Sequence, residues 1–465
     1  MQKIGIPLVA AAVLASGAAL RASAVGAAPQ FSVLYVFQGH PDGALPNGVV
    51  AAPDGSLYGT TFYGGRRSRP CGFGCGSVFK LTPPASKGGQ WSETILHSFA
   101  NGPGDGAYPW APVILGSDGT LYGVASSGGL SNPACSGCGV VFALSPPKRG
   151  HAWTETILHA FTGAPHDGSN PIGALIFGPD GSLYGTTAHG GESTLCNATG
   201  YLGCGTAFEL TPPAPGKLRW EERLIYSYGG PPNDGMWPSE PLVPGSNGTL
   251  FGTTQYGGSG TQLTDCQFGG FVAGCGTVFR LAPPVRRKSP WTETVLHSFM
   301  GPPEDGAAPT GLLVERHGAI EGTTAIGGSA PCIDGNSGCG IAYTLSPQSW
   351  FETIVYEFGS VTGDGAGPDD DLIPRGKGGF YGTTGGGGTG FCRIGNGCGT
   401  AYELTPHTSG WLETTVHEFD GPTDGSGPHG LIAANGVFFG VGEYGGSSAH
   451  CQISLGCGTV FMLHR

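Results

Sequence analysis

The octet DGSLYGTT stands at residues 54–61 and again at 180–187. Five diverged copies bring the count to seven: DGTLYGVA (118–125), NGTLFGTT (247–254), HGAIEGTT (317–324), GGFYGTT (378–384) and NGVFFGV (435–441). A chain that spells one short unit seven times does not fold as independent domains. Each unit is too small to bury both faces of its own sheet, so neighbours must stack. Two further markers keep the same beat. The aspartate of a D-G-x-x-P motif recurs at Asp42, Asp105, Asp167, Asp234, Asp305, Asp364 and Asp424, at intervals of 59 to 71 residues. A cysteine precedes the last apolar run of each unit at Cys75, Cys138, Cys204, Cys275, Cys339, Cys398 and Cys457.

Residues 153–212 show the unit most clearly. WTETILHAF (153–161) alternates as a strand does. A Gly/Pro/Asp loop follows, then ALIFGPDG (174–181), SLYGTT (182–187) and, past a cysteine-bearing loop, GTAFELTPP (205–213). Each run has strand length, and none holds a 3.6-residue period long enough for a helix. Asp-Gly between the second and third runs is a hairpin signal, because both residues tolerate positive φ. The four runs are expected to form one antiparallel sheet. The 89 glycines and 38 prolines would suggest a disordered or fibrous chain if they were scattered. They recur instead at fixed places beside apolar runs, as turn punctuation of an all-β protein.

Four-stranded sheets repeated radially make a β-propeller. One strand, FSVLYVF (31–37), precedes the first D-G-x-x-P loop, and three follow the seventh, ending at GTVFMLHR (458–465). Pairing 31–37 with 458–464 closes the ring and removes the open edge. The fold predicted for 31–465 is therefore a single seven-bladed propeller domain.

The motifs W-x-E-T-x-L-H-x-F, D-G-x-x-P, D-G-x-L-Y-G-T-T-x-x-G-G and C-G-T-V-F-x-L-x-P resemble the GloVer tandem-repeat family over roughly residues 31–465. The resemblance implies an exported bacterial repeat protein of propeller-like shape, often with a C-terminal surface anchor. It implies no catalytic residues. The sequence ends on a strand, which departs from the anchored members.

Export is also expected from the N-terminus. Lys3 opens a weakly apolar run, Ile4 to Leu20, interrupted by Pro7 and followed by Arg21 and Ala22-Ser23-Ala24. This reads as a signal peptide over 1–24, cleaved after Ala24 or as late as Ala28. The run is short for a spanning helix, and no other segment is expected to cross a membrane. The mature protein is expected to be an extracellular or periplasmic monomer. With 21 basic and 33 acidic side chains the net charge is −12, and no basic run offers a footing for nucleic acid.

Fourteen cysteines fall two to a unit: Cys71/Cys75, Cys135/Cys138, Cys196/Cys204, Cys266/Cys275, Cys332/Cys339, Cys392/Cys398 and Cys451/Cys457. Only Cys135 and Cys138 form a C-x-x-C, and no second pair or paired histidine completes a four-ligand set. Seven disulfides, each inside its own loop, are expected, and no metal or cofactor. Each closed loop should add about 2–3 kcal/mol, less any strain.

Residues shared by all the units are best explained by structure. The D-G-x-x-P aspartates are expected to cap turns through Asx hydrogen bonds. The glutamates (Glu93, Glu155, Glu222, Glu293, Glu352, Glu413) and histidines (His97, His159, His297, His417) sit four apart on one strand face and read as hydrogen-bonding ladders. Function is sought where units differ on a shared surface. The position after the loop proline is predicted to line the axial mouth, and reads Asn47, Trp110, Ile172, Ser239, Thr310, Asp369 and His429. Beside it lie Tyr108, Trp237, Glu240 and Asp370. Six of eight tryptophans open the W-x-E-T strand, whereas Trp110 and Trp237 flank the loop proline.

Aromatic rings with carboxylates and amides suit a sugar or peptide pocket. The alternative is that the two tryptophans plug the channel. The functions compatible with this pattern are an interaction module for a polysaccharide or protein, a glycosidase or lyase using Asp369, Asp370, Glu240 and His429, and a scaffold without a small ligand. Glycoside hydrolysis needs two carboxylates about the scissile bond. No G-x-S-x-G, H-E-x-x-H or EF-hand spacing accompanies them.

Overall fold

The computed structural model describes residues 30–464 apart from 69–70, 87, 133–134, 149–151, 198–201, 215, 218, 261–265, 269–270, 285–289, 333–337, 362, 370–371, 393–396, 409 and 447–449. Seven four-stranded antiparallel sheets form a seven-bladed β-propeller. Blade one runs outward through Gly43–Ala51, Leu57–Gly64, Ser77–Thr82 and Ser92–Ser98. Blade seven holds Ser426–Ala434, Val437–Tyr444 and Thr459–His464, and its outermost strand is Gln30–Val36. Gln30 pairs with His464 and Val36 with Thr459, as closure requires. The signal peptide expected over 1–24 lies outside the described residues.

The sequence unit and the blade are out of step by one strand. The expectation that 153–212 forms one sheet is corrected: Thr154–Ala160 pairs with Val140–Ser145 of the preceding unit. The sheet of Ile176–Phe177, Leu183–Thr187 and Thr206–Thr211 is completed by Glu221–Ser227 of the next unit. The cause lies in the connections. The link after the third strand lets the W-x-E-T strand fold back onto it, whereas the D-G-x-x-P loop carries the chain across to a new blade.

That crossing is built the same way seven times. The residue before each loop proline takes a left-handed conformation: Leu45, Tyr108, Asn170, Trp237, Ala308, Gly367 and Gly427 have φ of 52–61°. For a side-chain-bearing residue this costs about 1–2 kcal/mol. The turn aims its N–H at the preceding blade, where it meets the carbonyl of the second cysteine; Tyr108 donates to Cys75 at 2.7 Å and Leu45 to Cys457 at 2.9 Å. The proline then lies against the glycine after that cysteine. Gly205 has φ +103°, and a Cβ there would fall within 2.6 Å of Pro238 Cδ and of the Thr187 carbonyl. Gly205→Ala is therefore expected to cost about 2–4 kcal/mol in denaturant unfolding, combining left-handed strain with overpacking. Gly72→Ala, where an added Cβ meets nothing within 4 Å, should be neutral.

Aromatic pairs fill the seams beneath. Phe37–Phe79, Phe99–Phe142, Phe161–Phe208, Tyr228–Phe279, Phe299–Tyr343, Phe358–Tyr402 and Phe419–Phe461 meet edge to face at 5.0–5.2 Å. Each joins the end of one blade's outer strand to the third strand of the next. The glycine of L-Y-G-T-T makes room for the second ring: a Cβ on Gly185 would sit 2.6 Å from Phe208 Cζ. The closing seam, Phe37 on Phe79, matches the other six, so the ring has no weak joint built into its packing.

All seven disulfides form within their own loops. The second cysteine of each is buried. Disulfides persist in oxidising compartments, and no helix among the described residues is long and apolar enough to cross a membrane. The seven disulfides are consistent with an exported protein.

Candidate functional site

The D-G-x-x-P and cysteine loops open on one face, where Gly65 N–H donates to the Asp42 carbonyl at 2.8 Å. Each D-G-x-x-P aspartate caps its loop. Asp167 accepts from the N–H of Thr162 at 2.7 Å and of Gly168 at 2.6 Å.

The positions after the loop proline lie where the inner strands meet, but they play unlike parts. Asn47 is buried; its Nδ2 donates to Pro109 O at 2.7 Å and Thr60 Oγ1 at 3.2 Å, tying blade one to blade two. Thr310 Oγ1 donates to Pro368 O at 2.7 Å and does the same between blades five and six. Glu240 is partly buried and accepts from Ser239 Oγ at 3.1 Å. His429 Nδ1 lies 3.0 Å from the Gly427 carbonyl, to which it donates. Asp370 lies outside the described residues.

Trp110 is 50% exposed, so it is no buried channel plug. It belongs to an aromatic shelf: Phe62 lies 4.5 Å from Trp110 and stacks on Tyr108 at 5.2 Å, with Tyr63 edge-on to Tyr108 at 5.9 Å. Trp237 sits in a second, more enclosed group, 5.1 Å from His189 and 5.8 Å from Tyr256. Burial lowers the His189 pKa to about 4, so its ring is neutral at neutral pH.

Across the face, blades five to seven enclose a cavity of about 350 Å³ lined by Asp369, Glu443, Tyr444 and Ile326 among others. Burial first, then Glu443, Tyr63 and Asp369, push the Tyr444 hydroxyl above its ordinary range. Tyr444 lines this cavity together with Asp369 and Glu443. A second hollow of about 350 Å³ shares Tyr444 and carries Phe391, which is 99% exposed.

Phe62, Tyr63, His189, Tyr256, Glu443 and Tyr444 were not singled out in the sequence. All occupy the two positions between G-T-T and G-G, or their equivalents, and these positions differ from unit to unit. The test applied after the loop proline would have found them there.

The ladder residues meet across seams, not along their own strand. Tyr or His near the end of one outer strand, the D-G-x-x-P aspartate, and the glutamate of the next outer strand come together. Tyr35 OH donates to Asp42 at 3.0 Å, Tyr226 to Asp234 at 2.8 Å and Tyr356 to Asp364 at 2.9 Å. His97 Nε2 lies 3.2 Å from Asp105 Oδ1 and 3.6 Å from Glu155 Oε2. A β-bulge next to His97 shifts the strand register between it and Glu93. Burial, followed by the facing aspartate, pushes Glu93 and Glu293 up to about 8 and Glu413 to about 7. At the seventh seam Phe31 replaces the glutamate and stacks on His417 at 3.7 Å.

No curated protein matches the chain. Among solved structures, a fungal alcohol oxidase in complex with copper is similar over 93% of this chain and 76% of its own, at 13% identity and TM-score 0.52, a likeness of fold alone. A structure titled a 6-phosphogluconolactonase from Bacteroides uniformis matches at 12% identity over 80% and 84% of the two chains (TM-score 0.44). The NanB sialidase of Streptococcus pneumoniae matches at 12% over 93% and 70% (TM-score 0.43). The sequence motifs identify the chain more sharply than these shapes do: matched over residues 17–264, 134–330 and 194–461, it belongs to the Gloeobacter/Verrucomicrobia repeat family.

Proposed function

We propose that this protein is an exported, extracellular or periplasmic binding module that takes a polysaccharide on the loop face of its propeller. The aromatic shelf of Phe62, Tyr63, Tyr108 and Trp110 carries this reading. Sugar rings pack their C–H faces on aromatic planes while their hydroxyls seek carboxylates and amides. The shelf supplies the planes; Asp369 and Glu443 supply acceptors in the adjoining cavity. A half-exposed tryptophan beside glycine-rich loops opposes solubility unless a ligand covers it.

A glycan array probed with the oxidised protein tests the reading. Trp110→Ala is expected to weaken retention of any bound glycan at least tenfold, with an unchanged melting temperature. Loss of folding in the Phe62→Ala control would mark the shelf as structural. If no glycan binds, the polysaccharide reading fails. Two carboxylates on one cavity also permit a second reading, a carbohydrate-active enzyme. Asp369→Asn separates them: a binder loses some affinity, whereas an enzyme loses release of reducing or unsaturated sugar ends.

A further inference from the structure

We propose that three of the seven seams bind a divalent transition-metal ion, zinc by preference, through one histidine and two carboxylates. The ligand sets are His97/Asp105/Glu155, His159/Asp167/Glu222 and His297/Asp305/Glu352, each with one ligand atom per residue within 4.8 Å of the others. They pin blade one to two, two to three, and four to five.

The geometry is that of a coordination shell missing its centre. Zinc bonds of about 2.0–2.2 Å to nitrogen and oxygen place tetrahedral ligands about 3.3–3.5 Å apart. His97 Nε2 stands 3.2 Å from Asp105 Oδ1 and 3.6 Å from Glu155 Oε2. His297 Nε2 stands 3.7 Å from Asp305 Oδ2 and 3.8 Å from Glu352 Oε2. Those last distances are too long for hydrogen bonds. Among the described residues His297 Nε2 is accordingly buried with no hydrogen-bond partner, whereas His97 and His159 each reach their aspartate at 3.2 Å. Oε1 of Glu155, Glu222 and Glu352 is also unpartnered, as it is for Glu93 and Glu293 at two tyrosine seams. A buried imidazole nitrogen facing two carboxylates without a hydrogen bond is a costly arrangement that a cation resolves.

The aspartate is held in place beforehand. Asp305 accepts from Met300 N–H at 2.7 Å and Gly306 N–H at 2.6 Å, and Asp105 from Ala100 N–H at 2.8 Å. A neutral imidazole and two carboxylates carry two negative charges, which one divalent ion cancels. Nitrogen with oxygen ligands suits zinc and its neighbours better than calcium or magnesium.

The chain contains its own controls. At three seams tyrosine replaces histidine, its hydroxyl donates to the aspartate at 2.8–3.0 Å, and no imidazole nitrogen is offered to an ion. At the seventh, Phe31 removes the glutamate and covers His417.

The protein is stripped with EDTA, exchanged into chelator-free buffer, and titrated with zinc chloride and separately with cobalt chloride. Wild type is expected to retain about three equivalents of zinc, to melt higher with zinc than without, and to give the visible absorption of low-coordinate cobalt. The triple variant H97Y/H159Y/H297Y imports the chain's own tyrosine seam and should fold while losing all three signals. H417Y should keep them. Should the triple variant fail to fold, H297Y alone is expected to lose one equivalent of the three. Wild type binding less than half an equivalent at tens of micromolar zinc overturns the proposal. So does an H97Y/H159Y/H297Y triple variant, or an H297Y single variant, that binds zinc as wild type does.

Discussion

Removing residues 30–37 will unfold the ring instead of trimming an end. Gln30–Val36 is the outer strand of blade seven and is paired along its length with Thr459–His464. Its loss strips that strand and leaves an open edge beside an exposed core. Phe37 is fully buried and holds the seam between blades seven and one through Phe79 at 5.1 Å. Tyr35 caps Asp42, and Phe31 covers His417. One deletion therefore damages both seams that flank the joint. The expected result is a loss of cooperative melting or a fall of roughly 10 °C or more. Phe37→Ala alone should cost about 3–5 kcal/mol, the usual range for truncating a buried phenylalanine. An unchanged melting temperature after the deletion would falsify the closed ring.

Stability is expected to fall as pH rises from about 5 to about 8. At the three tyrosine seams, burial and the facing aspartate lift Glu93 and Glu293 to about 8 and Glu413 to about 7. The groups that face them are Tyr35 and Asp42, Tyr226 and Asp234, and Tyr356 and Asp364. Burial raises those aspartates as well. The folded state then binds more protons than the unfolded chain, whose glutamates titrate near 4.5. Stability from such groups is full below that value and is lost as pH climbs through the folded one. Melting temperatures in the presence of EDTA should drop by several degrees between pH 5 and pH 8. The triple variant Glu93→Gln, Glu293→Gln, Glu413→Gln keeps the shape and removes the titration at these three seams, while Glu155, Glu222 and Glu352, which burial also raises, still titrate. Its curve should be flatter than that of wild type over the same interval. A wild-type protein that is more stable at pH 8 than at pH 5 would refute the assignment.

The sequence by itself determined the seven blades, the closing strand, the disulfides and the capping aspartates. Each follows from local chemistry repeated seven times. Alternating runs make strands, D-G makes turns, and two cysteines a few residues apart have only each other to reach. A signal copied sevenfold survives the drift of any one copy, which is why HGAIEGTT and NGVFFGV remained readable. The phase of the blade was not legible. Whether WTETILHAF joins the strand before or after it depends on how two loops steer the chain, and both choices satisfy alternation equally well.

Tertiary structure also decided what each side chain faces. Glu93 and His97 look like partners on one strand, yet Glu93 faces Asp42 of the seam behind and His97 faces Asp105 and Glu155 of the seam ahead. Position after the loop proline could not separate buried Asn47 from half-exposed Trp110. The shelf joins Phe62, Tyr108 and Trp110 from adjacent blades, and Tyr444 lines one cavity with Asp369 of the neighbouring blade. Strand pattern is a one-dimensional property fixed by backbone and turn chemistry. Neighbourhood across a seam is set by ring closure, which no stretch of the chain encodes locally.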